Sequence, residues 1–132
     1  MVETVREFDS YAAASVAACA WVNSGKTKVN TGSLQLYIGK VKSGKGKVVG
    51  IGYRTKAGTL KDLVRLDIDE HKGIHFNANK LDNDREKFAA VIRGTRNKPM
   101  AQKEELYLQY LKGINNRSPG FIWDWWRTGR AN

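Results

Sequence analysis

The chain is poor in cysteine, proline and long hydrophobic runs. Its single cysteine, Cys19, excludes an internal disulfide and a zinc ribbon, and its alanine-rich surroundings predict a buried thiol. The most apolar stretch, residues 12–22, is shorter than the roughly 20 residues that a membrane-spanning helix needs. Acidic residues precede this stretch where a signal peptide carries basic ones: Glu3, Glu7 and Asp9. With 41% hydrophobic residues, the 132 residues predict one folded domain with one core.

Acidic residues are missing from residues 23–61, although the chain has 13 elsewhere. This segment contains nine basic residues: Lys26, Lys28, Lys40, Lys42, Lys45, Lys47, Arg54, Lys56 and Lys61. A solvated surface normally mixes both signs of charge, so an all-basic segment indicates a polyanionic partner. Because the chain carries a net charge of +10 and no long amphipathic basic helix, nucleic acid is the expected partner rather than a membrane.

The periodicity of the first half predicts a helix followed by an antiparallel sheet. Apolar residues recur every three or four positions over residues 8–22, which is typical of a helix. Alternating apolar residues over residues 33–40, 48–54 and 62–69 predict three strands separated by glycine-containing turns. After a bend at Lys72 and Gly73, the alternation resumes and predicts a fourth strand or a continuation of the third.

The second half predicts helices. Asn83 and Glu86 have the spacing of a capping box ahead of an apolar stripe, and residues 102–114 carry a second stripe at helical spacing. Three tryptophans lie near the C-terminus: Trp123, Trp125 and Trp126. We expect at least two of them to pack in the core rather than to stack on bases. The predicted fold is therefore α+β, with an N-terminal helix, a three- to four-stranded antiparallel sheet and C-terminal helices in residues 1–132.

Polar side chains collect on the outward face of the third strand and its continuation. Alternation puts five of them on that face: Arg65, Asp67, Asp69, His75 and Asn77. Lys72 and His71 lie at the bend between. A base, an acid and a cation are the groups that cleave a phosphodiester, and RNA supplies its own nucleophile, the 2′-hydroxyl. The sequence therefore predicts a ribonuclease that needs no metal or other cofactor.

Each of these residues has a predicted role. His75 is the general acid or base, with Asp69 or Asp67 as its partner or as the second proton-transfer group. Arg65 and Lys72 stabilise the phosphorane, and Asn77 orients the phosphate or a base. The predicted substrate-binding residues hold the RNA: Lys40, Lys42, Lys45, Lys47, Arg54 and His71. This interpretation requires His75 and Arg65 to project into one solvent-facing hollow.

The tract from Val64 to Asn77 resembles one in the C-terminal toxin domains of bacterial polymorphic toxins of the Rhs and contact-dependent inhibition systems. In that pattern a strand with the motif Arg-x-Asp is followed by Lys-Gly and then by a strand with the motif His-x-Asn. In this chain the three motifs begin at Arg65, Lys72 and His75. The resemblance implies a ribonuclease of the barnase, EndoU, colicin and RelE group, delivered from the cell surface as part of a larger toxin. It also implies action on tRNA or another structured RNA in the target cytoplasm, with a host factor in some cases, and a dedicated immunity protein. The basic field predicts that this immunity protein is acidic.

Two other functions fit the same residues. A metal-dependent DNase would use Asp62 or Asp69 with Glu70 and Lys72, and EDTA would abolish its activity. A non-catalytic RNA-binding module would use the acids only in solvated ion pairs with neighbouring bases. A zinc site built from His71, His75 and Asp69 is disfavoured, because a glycine bend separates the two histidines.

Overall fold

The computed structural model describes residues 2–24, 34–40, 44–80 and 83–128. In chain order the elements are β1 (Val2–Phe8), α1 (Tyr11–Asn23), β2 (Leu34–Ile38), β3 (Val48–Arg54), β4 (Leu60–Asp69), β5 (Gly73–Lys80), β6 (Asn83–Ile92), α2 (Met100–Asn115) and α3 (Pro119–Thr128). The α+β class predicted from the sequence is confirmed. In the described part of the chain, no helix has the length and hydrophobicity to cross a membrane.

Six strands form one sheet in the order β1-β6-β5-β4-β3-β2. Neighbouring strands from β2 to β6 are antiparallel, and β1 joins the edge in parallel with β6. The β4–β5 register sets Arg65 opposite Asn77 and Asp67 opposite His75. Side chains two residues apart on a strand, and those directly opposite, share a face of the sheet, so these four residues lie on one face.

The predicted helix that begins at Asn83 is wrong, because this segment forms strand β6. Phe88 and Ala90 are buried in the core, and Ala89 and Val91 between and beyond them are equally buried. A strand between two neighbours can be apolar on both faces, and such a run imitates helical spacing. Glu86 does not cap a helix but pairs with Lys80 at 3.1 Å.

Strand β1 is a second strand, after β6, that the sequence analysis did not predict. Its seven residues are largely exposed and only weakly alternating, so they carry little strand signal of their own. Their pairing with β6 supplies the missing backbone partners, from Val2 opposite Glu86 to Phe8 opposite Ile92. Tertiary pairing rather than local propensity thus makes this strand.

The core lies between the sheet and the helices. Ser10 begins α1 by accepting a hydrogen bond from the Ala13 amide at 3.1 Å. Trp125 and Trp126 are buried as predicted, at 3% and 1% exposure, whereas the side chain of Trp123 lies outside the described part of the structure. Cys19 is buried, and burial raises the pKa of its thiol to about 12, which makes it an unreactive core residue.

Gly73 begins β5 in a conformation that only glycine adopts easily, and this generates a stability prediction. The φ of Gly73 is +73°. A Cβ added at this position would lie 2.6 Å from the hydroxyl oxygen of Thr95, which accepts a hydrogen bond from the Ile74 amide. Gly58 has a similar φ of +85° with nothing within 4 Å of its Cβ. We expect Gly58→Ala to lower the free energy of unfolding by about 1–2 kcal/mol and Gly73→Ala by about 3 kcal/mol or more, from the added clash. Urea denaturation measures both, and equal losses would contradict the packing described at Gly73.

Candidate active site

A pocket of about 250 Å³ opens on the sheet where β3 and β4 stop pairing. The β3–β4 register ends with Gly50 opposite Arg65, so the carbonyl of Leu66 is available to another donor. Tyr107 of α2 reaches this carbonyl with its hydroxyl at 3.0 Å. The residues that line the pocket with polar or aromatic side chains are Tyr37, Lys40, Arg65, Asp67 and Tyr107. The pocket therefore combines side chains of the sheet face with one from the helix layer.

The central pair in this pocket is Arg65 and Asp67, two residues apart on β4. Arg65 donates from Nε and Nη2 to the two carboxylate oxygens of Asp67 at 2.9 and 2.7 Å. Asn77, opposite Arg65 on β5, donates its side-chain N–H to Oδ2 of the same carboxylate at 2.5 Å. Bidentate pairing fixes the plane of both groups. About two thirds of each side chain is shielded, and the remaining third faces solvent.

The charge of Arg65 is secure. Burial opposes it, but the hydrogen bonds that Arg65 donates to Asp67 and the attraction of the Asp67 and Asp62 carboxylates outweigh burial and raise the pKa of the guanidinium above its ordinary value. The Asp62 carboxylate lies 3.8 Å from Nη1. Arg65 therefore presents a permanent cation at the pocket, oriented by a neighbouring anion, which is the arrangement that binds a phosphate.

Tyr107 contributes a hydroxyl to the pocket. Burial, followed by the nearby Asp67 carboxylate, raises the pKa of Tyr107 to about 12. The hydroxyl therefore stays protonated at neutral pH and acts as a hydrogen-bond donor. The helical stripe in residues 102–114 identifies Tyr107 as a core residue but gives no sign that its hydroxyl reaches a polar pocket.

Tyr37 and two glycines shape the wall of the pocket beside β2. The guanidinium carbon of Arg65 lies 6.0 Å from the centroid of the Tyr37 ring, a cation–π distance. At Gly39 an added Cβ would lie 2.1 Å from the carbonyl oxygen of Gly44, so only glycine permits this close approach. Tyr37 is a second functional candidate that the sequence analysis missed. The signal available for it was its place on the outward face of β2, opposite the face that carries Leu34 and Leu36.

His75 lies on the same face as Arg65 but is not exposed, which corrects the expectation of a shared solvent-facing hollow. Its side chain is 2% exposed, between its strand neighbours Asp67 and Val91. The Nδ1–H donates to the carbonyl oxygen of Gly73 at 3.0 Å, and Nε2 lies 3.9 Å from a carboxylate oxygen of Asp69. On a central strand, the side chains of both neighbouring strands can cover a residue that faces away from the core. His75 therefore contacts protein groups and does not line the pocket.

Asp69 and Lys72 form a separate cluster at the β4–β5 turn. The Lys72 amide donates to Asp69 at 2.6 Å, and the Lys72 ammonium pairs with Glu3 of β1 at 3.1 Å. The prediction that Lys72 joins Arg65 at the phosphate is therefore not supported by its position. Lys103 of α2 is 3% exposed and donates to the backbone carbonyls of Asp69 and Glu70 at 3.3 and 3.0 Å. This buried ammonium fixes the turn from the helix side.

Of the groups predicted for a metal-dependent nuclease, Asp62 lies apart from the others. Its carboxylate accepts a hydrogen bond from Asn79, and it lies seven residues before Asp69 on the same strand, which separates their Cα atoms by about 23 Å. Among the residues that the structure describes, no three His, Cys, Asp or Glu side chains are grouped to hold a metal ion. His71 is exposed at the turn, where its carbonyl accepts from Arg96 at 2.7 Å.

The predicted RNA-binding residues are divided between two ends of the sheet. Lys40 lines the pocket, and the connection that follows it carries Lys45 and Lys47, held by a hydrogen bond from the Gly39 amide to the Lys47 carbonyl. Lys42 lies outside the described residues. Arg54 is at the opposite end of β3 and donates to the Gly58 carbonyl at 2.8 Å, so it stabilises the β3–β4 turn and not the pocket.

The environment of Asp69 predicts a pH-dependent contribution to stability. Burial opposes its ionisation, but the Lys72 amide and the charges of His75 and Lys72 outweigh burial and lower the pKa of Asp69. A lowered pKa stabilises the fold above the unfolded value near 3.9, and this stabilisation is lost as the pH falls through the folded value. We expect Asp69→Asn to be less stable than the parent protein at neutral pH, and the difference to shrink below about pH 4.

Urea denaturation across this pH range measures the effect. Glu70→Gln is the matched control, since this neighbouring side chain is exposed. A difference between the parent protein and Asp69→Asn that is independent of pH would contradict the described role of the Asp69 carboxylate.

Comparison with known proteins identifies the family. The Ribonuclease ageritin-like family matches residues 5–128. Ribonuclease ageritin from Cyclocybe aegerita is 49% identical over 134 aligned positions, which cover 99% of this chain and 86% of that protein. No solved structure matches the chain. The ribonuclease activity predicted from the sequence agrees with this family, whereas the bacterial polymorphic toxin context stays a prediction. The chain belongs to the Ribonuclease ageritin-like family.

Proposed function

We propose that the protein is a toxin endoribonuclease that cleaves structured RNA through attack of the RNA's own 2′-hydroxyl, without a metal ion. The observation that carries the proposal is the pocket itself. The cavity is lined by the guanidinium of Arg65, the carboxylate of Asp67, the protonated hydroxyl of Tyr107 and the ammonium of Lys40. It lies beside the basic β2–β3 connection. These are the groups that phosphodiester cleavage by an internal nucleophile requires.

The scissile phosphate binds Arg65 and Lys40 in this proposal. Both cations line the pocket, and Arg65 is already oriented by its two hydrogen bonds to Asp67. As the 2′-oxygen attacks, negative charge grows on the non-bridging oxygens. A guanidinium held in place before the reaction stabilises that charge without reorganising.

Asp67 accepts the proton of the 2′-hydroxyl. Its carboxylate has about four lone-pair directions, of which Arg65 and Asn77 occupy three. The remaining direction is free for the substrate. As the bond from the 2′-oxygen to phosphorus forms, the bond from phosphorus to the 5′-oxygen breaks. The Tyr107 hydroxyl exchanges its hydrogen bond to the Leu66 carbonyl for one to this leaving oxygen and transfers its proton there. Proton exchange with water then restores the Asp67 carboxylate and the Tyr107 hydroxyl. The products are a 2′,3′-cyclic phosphate and a 5′-hydroxyl.

His75 acts in this mechanism as a positioning residue. Because it is buried, it reaches the substrate only through neighbouring groups, and its contacts are Gly73 and Asp69. These contacts fix the strand on which Asn77 stands two residues later. This replaces the expectation that the His75 imidazole itself transfers the proton to or from RNA.

The substrate and partners are proposed from charge. Lys40, Lys45 and Lys47 form a basic edge at the pocket that suits the closely spaced phosphates of a folded RNA, tRNA included. An inhibitor that covers this edge would be acidic for the same reason. Delivery as part of a larger toxin, action in a bacterial cytoplasm, an immunity protein and a host factor remain predictions from the resemblance of the β4–β5 tract.

Removing the Arg65 guanidinium and the Tyr107 hydroxyl tests the proposed roles. We expect Arg65→Gln to lower kcat/KM for RNA cleavage about 1,000-fold and Tyr107→Phe about 100-fold, since each removes a group that stabilises the transition state. Arg54→Gln and Tyr53→Phe are matched controls, because both residues lie toward the other end of β3. We expect each control to change the rate less than about threefold. Retained cleavage by Arg65→Gln would refute the assignment.

Product chemistry and chelation test the reaction type. We expect total RNA to be cut in the presence of EDTA, with 2′,3′-cyclic phosphate ends, and DNA of the same sequence to remain intact. Loss of cleavage in EDTA with DNA as the better substrate would establish the metal-dependent alternative instead. Tight RNA binding without any cleavage would establish a non-catalytic binding module.

A further inference from the structure

A second pocket of about 260 Å³ lies between α2 and α3. It shares no lining residue with the candidate active site, although both use α2. Three aromatic side chains form much of its wall: Tyr110, Phe121 and Trp125. Gln109 and Arg117 add polar groups at its rim. An aromatic pocket with a few polar groups is typical of a site for a small planar ligand.

Two of these aromatic residues carry polar atoms without a partner. The Trp125 Nε1 and the Tyr110 hydroxyl are buried, and neither has a hydrogen bond within the described part of the chain. The Trp125 side chain is 3% exposed. Burial, with a smaller effect of Tyr11, raises the pKa of Tyr110, so its hydroxyl stays protonated. Neither atom is accessible in this packing, so the two side chains offer the pocket the surfaces of their rings and not hydrogen-bond donors.

Arg117 gives the pocket its charge. Its guanidinium carbon lies 4.0 Å from the centroid of the Phe121 ring, and no ion pair with a carboxylate is formed by it among the described residues. A guanidinium stacked on a ring keeps its N–H groups free at the edge, where they suit an anion. The ligand class is therefore planar and negatively charged.

Gly113 keeps the pocket open. A Cβ at this position would meet nothing within 4 Å, and the residue lies inside helix α2 without a positive φ. Glycine inside a helix is normally unfavourable relative to alanine. The missing side chain is explained if the space above it is used by a ligand.

We infer that this pocket binds one unpaired nucleotide of the RNA substrate, with the base among Tyr110, Phe121 and Trp125 and the phosphate on Arg117. The inference rests on the proposed function for its substrate class. Base stacking on aromatic side chains and cation–π contact from arginine are the means by which single-stranded RNA is held without sequence readout. The pocket would thus anchor the RNA away from the scissile phosphate.

The test measures binding directly, on the intact protein, with 5′-AMP as the probe. The indole N–H resonance of Trp125 in ¹H–¹⁵N spectra reports on the pocket, and that of Trp21 in α1 is the internal control. We expect 5′-AMP to shift the Trp125 signal and to bind Arg117→Gln about tenfold more weakly, a loss of about 1.4 kcal/mol. Gly113→Leu, which fills the pocket, should abolish the shift. Arg6→Gln is the matched control, because Arg6 also stacks on a ring, that of Phe8 at 5.8 Å, on the far edge of the sheet.

The outcomes separate this inference from the proposed function. Arg65→Gln should bind 5′-AMP at the pocket normally while losing RNA cleavage, so loss of one activity does not imply loss of the other. In RNA cleavage, Arg117→Gln should raise KM and leave kcat unchanged. A Trp125 signal that 5′-AMP does not move, a shift that survives Gly113→Leu, or equal binding of adenosine and 5′-AMP would overturn the inference.

Discussion

The ion pair between Arg65 and Asp67 lies at the point where strands β3 and β4 separate. Two residues apart on one strand, these side chains share a face and reach each other without strain, and Asn77 across the β4–β5 ladder holds the carboxylate from the other side. The separation of the strands leaves room for a pocket and frees the Leu66 carbonyl for Tyr107. The orientation of the cation, the accessibility of the carboxylate and the position of the hydroxyl all depend on this local geometry.

The protein places two kinds of charge in two different environments. Arg65 and Asp67 are partly shielded, which strengthens their interaction with each other and with any phosphate that enters. Lys40 and Lys45 of the β2–β3 connection are exposed, so their attraction for a polyanion acts over a distance but is screened by salt. The cluster around Asp69, Lys72, His75 and Lys103 serves the turn between β4 and β5 instead. The candidate active site and the cluster that stabilises the β4–β5 turn thus lie next to each other on the sheet.

Strand alternation was sufficient to place Arg65, Asp67, His75 and Asn77 on one face, since side-chain direction in a strand is a local property. The burial of a side chain is not a local property. His75 is covered in part by Val91 of β6, and the apolar spacing after Asn83 had predicted a helix for that segment. Tyr107 could not be predicted for the site either, because it is 41 residues from the Leu66 carbonyl that it contacts. Such contacts follow from how helix and sheet pack, which periodicity does not encode.

The proposed mechanism requires Arg65 and Asp67 to act as one unit during cleavage. A double-mutant cycle on the rate of RNA cleavage, with Arg65→Gln, Asp67→Asn and the combination, tests this most directly. Groups that act together lose their effect together, so the double variant should be no slower than the slower single variant. Rate losses that multiply, each variant reducing cleavage by its own factor in the presence of the other, would mean that the two side chains act independently and would contradict the account.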